Sequence, residues 1–219
     1  MSKKAVVLLS GGLDSAVTLY HAKAAGYKAH ALIFDYGQRH RREVAAARAV
    51  ARAAKVPARV VRISMPWKGS ALLDSTARVP SRGVKKNVIP STYVPARNII
   101  FLSFAASFAE AIGARVIFIG ANAVDYSGYP DCRPRFFRSF QAALDQGLKT
   151  GVARKGVRIL TPLLNMTKTG IVRRGVALGV PFGKTWSCYQ GASRVCGVCD
   201  SCRLRARGFS GAGVVDPVV

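Results

Sequence analysis

The sequence predicts an α/β protein with a doubly wound parallel sheet of five strands, followed by a small cysteine-rich subdomain. Short apolar runs alternate along the chain with amphipathic helical patterns, which is typical of βαβ units and therefore of a parallel sheet. A turn with two glycines follows the first apolar run directly. Four of the five cysteines crowd together near the carboxyl end. These observations predict a layered main domain over residues 1–180 and a four-cysteine subdomain and tail over residues 181–219.

Length and hydropathy allow one good hydrophobic core. The chain has 219 residues, of which 50% are hydrophobic. Its beginning carries no apolar run long enough for a secretory signal or a membrane span, because residues 6–9 are too few. We therefore expect a soluble, cytoplasmic protein without a membrane partner.

The charge balance leaves the nature of the partners open. Lys and Arg number 34 against 10 Asp and Glu, for a formal net charge of +24. Such a field attracts polyphosphates, nucleic acids or acidic membranes. A basic surface without a specific partner explains the charge equally well, because no single block of Lys and Arg dominates. A nucleic acid partner is thus possible but not required.

Hydrophobic periodicity places the elements in order. The predicted strands are residues 5–7, 28–34, 58–63, 115–120 and 157–161. The main predicted helices cover about residues 13–21, 41–55, 95–112, 136–144 and 167–179. Thr167 has the hydroxyl of a typical N-cap, and Gly179 suits a helix end. Residues 64–94 show no clear period and contain three prolines, so we expect a loop that covers the substrate.

The loop after the first strand has the composition of an anion site. Ser10 and Ser15 offer hydroxyls, and Gly11 and Gly12 let the backbone approach a ligand without a Cβ in the way. The N–H groups of the following helix and its dipole favour phosphate. Asp14 would orient this loop or hold a phosphate-bound Mg²⁺. An ordinary glycine turn is the alternative, whereas no Walker lysine and no dinucleotide fingerprint is present.

Further polar residues follow the other strands, where open α/β sheets bind ligands. Arg97 and Asn98 begin a helix, at whose positive end an anionic or carbonyl-bearing substrate would be held. The loop of residues 125–133 combines tyrosines, carboxylates and an arginine, which would suit a flat heteroaromatic ligand better than a plain turn requires. Lys168 lies in a first helical turn, against the dipole, and would either reach phosphate or remain solvated.

The helix of residues 95–112 is apolar almost all round, so burial on more than one side is expected. A subunit contact and a cover formed by the chain's own loops explain this equally well.

The cysteine cluster predicts a metal site. Cys188, Cys196, Cys199 and Cys202 provide four thiolates, and the two-residue gaps allow consecutive cysteines to surround one ion. Four protein ligands leave no open position, so a structural Zn²⁺ is expected, with an iron–sulfur cluster as the alternative. Cys132 stands apart from them and is more typical of a small buried side chain than of a nucleophile.

Six motifs, in order along nearly the whole chain, resemble those of the 7-cyano-7-deazaguanine synthase family within the ATP pyrophosphatases. They are Ser-Gly-Gly-Leu-Asp-Ser at 10–15, Asp-Tyr-Gly-Gln-Arg-His at 35–40, Tyr-Val-Pro-Ala-Arg-Asn at 93–98, Asp-Tyr-Ser-Gly-Tyr-Pro-Asp-Cys-Arg at 125–133, Thr-Trp-Ser-Cys-Tyr at 185–189, and the cysteine cluster. The resemblance implies an adenine nucleotide alpha-hydrolase-like fold and a homodimer. It also implies an ATP-dependent carbon–nitrogen ligase that converts 7-carboxy-7-deazaguanine and ammonia to the nitrile through an adenylate and an amide, releasing AMP and pyrophosphate.

The resemblance also implies roles for individual residues. Catalysis would use Arg97, Lys168 and Asp14, and Zn²⁺ would bind the four cysteines. ATP and Mg²⁺ would bind at the loop, where the expected contacts are Leu9, Ser10, Gly11, Gly12, Leu13, Asp14 and Ser15. The substrate would contact residues of the middle motifs, namely Tyr36, Gln38, Arg39, His40, Arg97, Asn98, Asp125, Tyr126, Ser127, Gly128, Tyr129, Asp131 and Arg133.

Two departures from the family pattern keep other functions open. Pro134-Arg135 and Thr169-Gly170 stand where relatives often carry acidic residues. A divergent relative would stop at the amide or join the deazaguanine to another amine. A tRNA-modifying ATP pyrophosphatase would use the basic surface to hold RNA, and a zinc-dependent nucleic-acid-binding module would release no pyrophosphate.

Overall fold

The computed structural model describes residues 3–39, 42–74, 76–81, 88–122, 128–153 and 155–218. The expected substrate contacts His40, Asp125, Tyr126 and Ser127 lie outside these residues. The strands are β1 (Lys4–Leu8), β2 (Lys28–Asp35), β3 (Ala58–Arg62), β4 (Val116–Phe118) and β5 (Arg158–Leu160). The helices are α1 (Leu13–Ala24), α2 (Arg42–Ala53), α3 (Arg97–Ile112), α4 (Pro134–Gly147), α5 (Lys149–Val152), α6 (Lys168–Ala177) and α7 (Asp200–Ala212), with 3₁₀ turns at Pro130–Cys132 and Phe182–Lys184.

The predicted parallel sheet is confirmed. Its strand order is β3-β2-β1-β4-β5, and every pair of neighbours is parallel. β1 lies at the centre, where Val6 is opposite His30 of β2 and Ile117 of β4. The connections run from β1 outward to β3 and then return to β4 on the other side of β1. The order therefore reverses between β1 and β4, which creates a crevice at the carboxyl ends of these two strands.

Each face of the sheet is covered by helices, as the doubly wound class requires. Ala5 and Val7 of β1 point to one face, where α1, α2 and α6 pack, and Val6 points to the other, where α3 and α4 pack. This alternation is the period of two of a strand with both faces buried. On α2 one face is apolar and packs against the sheet, with Ala47 and Val50 fully buried.

Helix α3 leaves part of its apolar surface uncovered. Leu102, Ala105 and Ala109 are buried beneath the sheet, whereas Ile99 and Phe104 remain 40% and 42% exposed. Within the described part of the chain, loops do not cover these two side chains. Apolar side chains that are exposed one by one are common on protein surfaces, so the subunit contact stays a prediction.

Helix α7 is an element that the sequence patterns did not predict. It packs closely on α6, because Gly208 and Gly211 bring its backbone against Lys168 and Thr169. Phe209 is 2% exposed and contacts the ring of Phe182 at a centroid distance of 5.1 Å. The carboxyl-terminal helix thus shares the core of the sheet, and the division at residue 180 stays a prediction.

None of the described helices combines the length with the hydropathy that crossing a lipid bilayer would require.

Candidate active site

A cavity of about 250 Å³ occupies the crevice between β1 and β4. Its floor consists of residues at the carboxyl ends of the central strands, including Leu9, Phe34 and Ile119. Ligands of open α/β sheets bind at this position, because loops from neighbouring strands converge there. The cavity is lined by most of the predicted site residues that the structure describes, which are Leu9, Ser10, Gly12, Leu13, Asp14, Ser15, Tyr36, Gln38, Arg97, Asn98, Tyr129 and Lys168.

The predicted phosphate loop is held in shape by its own serines. The Ser15 hydroxyl accepts a hydrogen bond from the Ser10 N–H at 3.2 Å and donates to the Gly12 carbonyl at 3.0 Å. The Gly12 N–H donates to the Ser10 hydroxyl at 3.3 Å. The loop is therefore organised before any ligand binds, and the first N–H groups of α1 have no partner within the helix. Such a terminus is suited to an anion.

Gly11 has a backbone that other residues rarely adopt. Its φ is +88°, in the left-handed region. A Cβ here would overlap the Glu43 carbonyl oxygen and lie 2.6 Å from the Ala47 nitrogen, both at the start of α2. The glycine thus lets the loop lie against α2.

We expect Gly11→Ala to lower the free energy of unfolding by about 3 kcal/mol or more, since strain and overlap add. Gly12→Ala is the matched control, because Gly12 has a φ of −76° and a Cβ there would be 3.4 Å from the Ser10 hydroxyl. Its expected cost is below about 1 kcal/mol. Urea unfolding of the nucleotide-free protein measures both, and equal costs would contradict this account.

Lys168 is neither solvated nor directed away from the loop. Its Nζ donates to both carboxylate oxygens of Asp14, at 2.7 and 2.9 Å, and only 13% of its side chain is exposed. Thr167 caps α6 as predicted, accepting from the Gly170 N–H at 3.2 Å. Gly208 of α7 leaves room for the lysine stem, since a Cβ there would lie 2.7 Å from Lys168 Cγ. The ion pair joins α6 to the first turn of α1 and places a cation beside the loop.

Aromatic rings line the other end of the cavity. Phe34 and Phe101 are stacked with centroids 4.0 Å apart, and Tyr36 meets the edge of Phe101 at 5.3 Å. Burial raises the pKa of Tyr36, which therefore keeps its phenolic proton at neutral pH. Arg97 is hydrogen-bonded to Tyr36. A guanidinium beside flat rings can bind a planar ligand that carries a carboxylate.

Asn98 and Asp131 fix the start of α3. The Asp131 carboxylate accepts from the Asn98 N–H at 3.0 Å, and the Asn98 side chain donates to the Asp131 carbonyl at 3.0 Å and to Cys132 Sγ at 3.3 Å. Burial raises the pKa of Asp131. It also raises the pKa of Cys132 to about 12, so this residue stays a thiol at neutral pH and does not act as a nucleophile.

Five of the predicted catalytic, nucleotide and substrate residues that the structure describes do not line the cavity, and one of them is Asp131, whose carboxylate binds the Asn98 N–H. Gly11 is part of the phosphate loop but faces α2. Arg39 donates from Nη1 to the Ala77 carbonyl at 2.8 Å and thereby anchors the segment of residues 76–81. Gly128 is buried against Val88, and Arg133 is exposed at the start of α4.

The cavity also has lining residues that the sequence patterns did not indicate. Five of them come from the carboxyl-terminal segment, namely Ser187, Tyr189, Ser201, Leu204 and Arg205, and Glu43 and Asn122 are two further polar examples. Glu43 alone had a recognisable feature, since it projects with the apolar side of α2. Asn122 follows β4, and the five carboxyl-terminal residues lie in or beside the cysteine-rich segment, whose proximity to the loop depends on long-range packing.

The four cysteines form a cluster that fits a tetrahedral metal ion. Their sulfur atoms lie within 4.8 Å of one another, and Cys196 Sγ is 4.0 Å from Cys202 Sγ. Zn–S bonds of ~2.3 Å place tetrahedral sulfurs about 3.8 Å apart. The N–H groups of Cys196 and Cys199 donate to neighbouring sulfurs at 3.4 Å. The hydrogen bond from Cys199 lowers the pKa of Cys188, whereas the same bond raises that of Cys199, so a cation is needed to hold all four as thiolates.

Fold and site together define a doubly wound α/β protein with the Ser-Gly-Gly-Leu-Asp-Ser loop at the switch point of the sheet and a four-cysteine cluster near its carboxyl end. The chain belongs to the family of queuosine biosynthesis protein QueC, whose model matches residues 4–213.

Full-length relatives carry one name. The chain is 52% identical to 7-cyano-7-deazaguanine synthase of Thermoplasma acidophilum, covering 99% of this chain and 91% of that protein. It is 53% identical to the 7-cyano-7-deazaguanine synthase of Pseudomonas fluorescens, over 98% of this chain and 97% of that protein. Among solved structures, NMN synthetase from Francisella tularensis aligns over 82% of this chain and 63% of that one, with 17% identity and a TM-score of 0.49.

Proposed function

We propose that this chain is an ATP-dependent ligase that converts 7-carboxy-7-deazaguanine and ammonia to 7-cyano-7-deazaguanine. The observation that carries the proposal is that the family match spans residues 4–213 and that four separate motifs of this family meet in one cavity. Ser10, Tyr36, Arg97 and Tyr129 each represent one of these motifs. A chain that kept only the fold would have no reason to keep all four at the same place.

The first step is adenylation of the substrate carboxylate. A carboxylate oxygen attacks the α-phosphate of ATP, and the bond to the β-phosphate breaks to release pyrophosphate. The loop N–H groups at the start of α1 bind the phosphates, with Ser10 and Ser15 presenting hydroxyls. Lys168 is beside the loop through its contact with Asp14 and stabilises the charge that develops on the phosphates.

The next steps form and dehydrate an amide. Ammonia attacks the acyl carbon of the adenylate, loses a proton, and expels AMP to leave the amide. A second ATP adenylates the amide oxygen with release of pyrophosphate, and the nitrogen loses a proton to give an imidate. Loss of AMP and of the second nitrogen-bound proton then gives the nitrile. No enzyme nucleophile is needed, which agrees with the raised pKa of Cys132 in the cavity wall. Positioning and charge stabilisation carry the reaction.

The aromatic end of the cavity holds the deazaguanine. Tyr36, Phe101 and Tyr129 provide rings on which the flat heterocycle stacks. Arg97 pairs with the 7-carboxylate, which directs this group toward the phosphate loop. Asp131 already accepts a hydrogen bond from the Asn98 N–H with one carboxylate oxygen. We therefore propose that its main role is to hold this wall of the cavity in shape.

The proposal also covers the identity of the bound metal ions and the oligomeric state. We assign Zn²⁺ to the four-cysteine cluster, where it stabilises the fold. Mg²⁺ would accompany the nucleotide phosphates, and Asp14 is the carboxylate nearest to them, at present paired with Lys168. A homodimer is proposed with the exposed Ile99 and Phe104 of α3 in its contact.

Incubation with ATP, ammonia and 7-carboxy-7-deazaguanine tests the function. We expect the nitrile as the final product, with two AMP and two pyrophosphate released for each nitrile that is formed. Mass spectrometry identifies the product, and ion-exchange chromatography separates the nucleotides. Release of ADP and phosphate would contradict the proposed bond cleavage. If the amide accumulates and is never dehydrated, the enzyme catalyses only the conversion of the carboxylate to the amide.

A further inference from the structure

Arg205 of α7 is a buried cation that the reaction scheme does not use. It is 4% exposed and forms a bidentate ion pair with Asp216, with Nε to Oδ2 at 2.6 Å and Nη2 to Oδ1 at 2.8 Å. Removing two charges from water is costly, and well-packed apolar side chains often replace such a pair without loss of stability. Stability alone is therefore a weak reason for this pair. Its geometry, however, holds the guanidinium plane in one orientation.

The remaining donors of this guanidinium bind the segment that precedes the cysteine cluster. Nη1 donates to the Thr185 hydroxyl at 2.7 Å and lies 3.4 Å from the Ser187 hydroxyl. Nη2 also donates to the Phe182 carbonyl at 3.3 Å. Thr185 is 2% exposed and donates in turn to the Phe182 carbonyl at 2.7 Å. Arg205 thus fixes the turn of residues 182–187 from below.

This turn is bonded directly to the phosphate loop. The Trp186 N–H, next to Thr185, donates to the Gly11 carbonyl at 2.9 Å. The Trp186 indole donates to the Cys188 carbonyl at 3.0 Å, and the Arg42 guanidinium lies over its ring at 5.1 Å. Gly11 is wedged against α2 on its other side. The loop is consequently held between α2 and Trp186.

We infer that Arg205, oriented by Asp216, is a positioning residue for the phosphate loop and acts through Thr185 and Trp186. Hydrogen bonds lead from Asp216 through Arg205 to the Thr185 hydroxyl, the peptide bond joins Thr185 to Trp186, and the Trp186 N–H completes the series at the Gly11 carbonyl. The inference rests on the proposed function in one respect, namely that the loop binds ATP. It assigns the tail beyond α7 a part in nucleotide binding, since Asp216 lies there.

Two conservative variants interrupt the series at different links. Arg205→Lys keeps a cation beside Asp216 but lacks the planar fork that reaches Thr185 at the same time. Thr185→Val removes the hydroxyl and nearly preserves the shape. Arg207→Lys is the matched control, because Arg207 lies on the same helix and is exposed. All variants are made in a Trp67→Phe background, which leaves Trp186 as the single tryptophan, since the chain has two.

The readouts are the dissociation constant for ATP, taken from Trp186 emission, and the metal content per chain. We expect Arg205→Lys and Thr185→Val each to raise the ATP dissociation constant about ten-fold, as expected for loss of one charge-assisted hydrogen bond. Metal content should be unchanged, and the KM for ATP should rise more than kcat falls. Arg207→Lys should bind ATP like the background protein.

The inference is overturned if both variants bind ATP as tightly as the background, or if weaker binding occurs only together with loss of metal. Should Arg205→Lys fail to fold, Thr185→Val decides alone. If the background protein itself does not bind ATP, the proposed function fails. The emission maximum of Trp186 in the absence of nucleotide then tests whether Arg205 positions the loop. A shift of the Trp186 emission maximum in both variants but not in Arg207→Lys supports the positioning role, and unchanged emission spectra refute it.

Discussion

Replacing Cys199 with serine is expected to release the metal and to lower the free energy of unfolding by more than about 3 kcal/mol. Cys199 is fully buried, and its sulfur lies among the other three cysteine sulfurs. Loss of one thiolate leaves three like charges without a complete ion site. We also expect weaker ATP binding, because the turn that holds Gly11 continues directly into Cys188.

Elemental analysis after dialysis against a chelator and urea unfolding measure these two effects. Cys132→Ala is the control for metal content, since Cys132 is the fifth cysteine and contacts Asn98 instead of the cluster. This variant should keep one metal ion per chain, the content that we also expect of the unvaried protein. A Cys199→Ser protein that retains its metal through dialysis would show that the cluster is not the metal site.

The sequence predicts the sheet and the loop well because both depend on local patterns. Buried parallel strands are short apolar runs, and polar residues at or shortly after the ends of β1, β2 and β4, such as Ser10, Asp35 and Asn122, mark the carboxyl edge. Once the strands are parallel, residues that follow them must lie together. That geometric rule brings Tyr36 and Arg97 to the loop although they are far apart in sequence.

The carboxyl-terminal helix escapes such prediction for a physical reason. Gly208 and Gly211 disfavour a helix by about 1 kcal/mol each, so local propensity indicates a tail. The same two glycines allow α7 to approach α6, and this packing outweighs the propensity. Arg205 in turn looks like one of several surface arginines until Asp216 is brought beside it. Pairings between distant side chains leave no periodic pattern in the sequence.

The contact between Lys168 and Asp14 is another pairing of distant side chains, since the two residues are 154 positions apart. It answers a question that the sequence leaves open, namely whether this lysine is solvated. Holding the cation against the loop before ATP binds saves the cost of ordering a flexible side chain in the transition state. The carboxylate of Asp14 holds the lysine ammonium in place.

Lys168→Met is therefore expected to lower kcat/KM for the proposed reaction by about 10²- to 10³-fold, comparable to loss of one preorganised charge-stabilising group. Methionine fills the space of the lysine stem beneath Gly208, so packing is largely kept. The Asp14 carboxylate stays near the positive end of α1 and is 26% exposed, which limits the cost of losing its partner. The free energy of unfolding should thus change by no more than about 1 kcal/mol.

Lys149→Met is the matched control, because it removes the same charge from an exposed position on α5. Its kcat/KM should stay within about two-fold of the unvaried enzyme. Asp14→Asn adds a double-mutant test. If lysine and carboxylate act as one unit, the double variant should be hardly slower than Lys168→Met alone. Full activity in Lys168→Met would remove this residue from the catalytic set, and additive losses would mean that Asp14 has a separate role, such as binding the nucleotide's Mg²⁺.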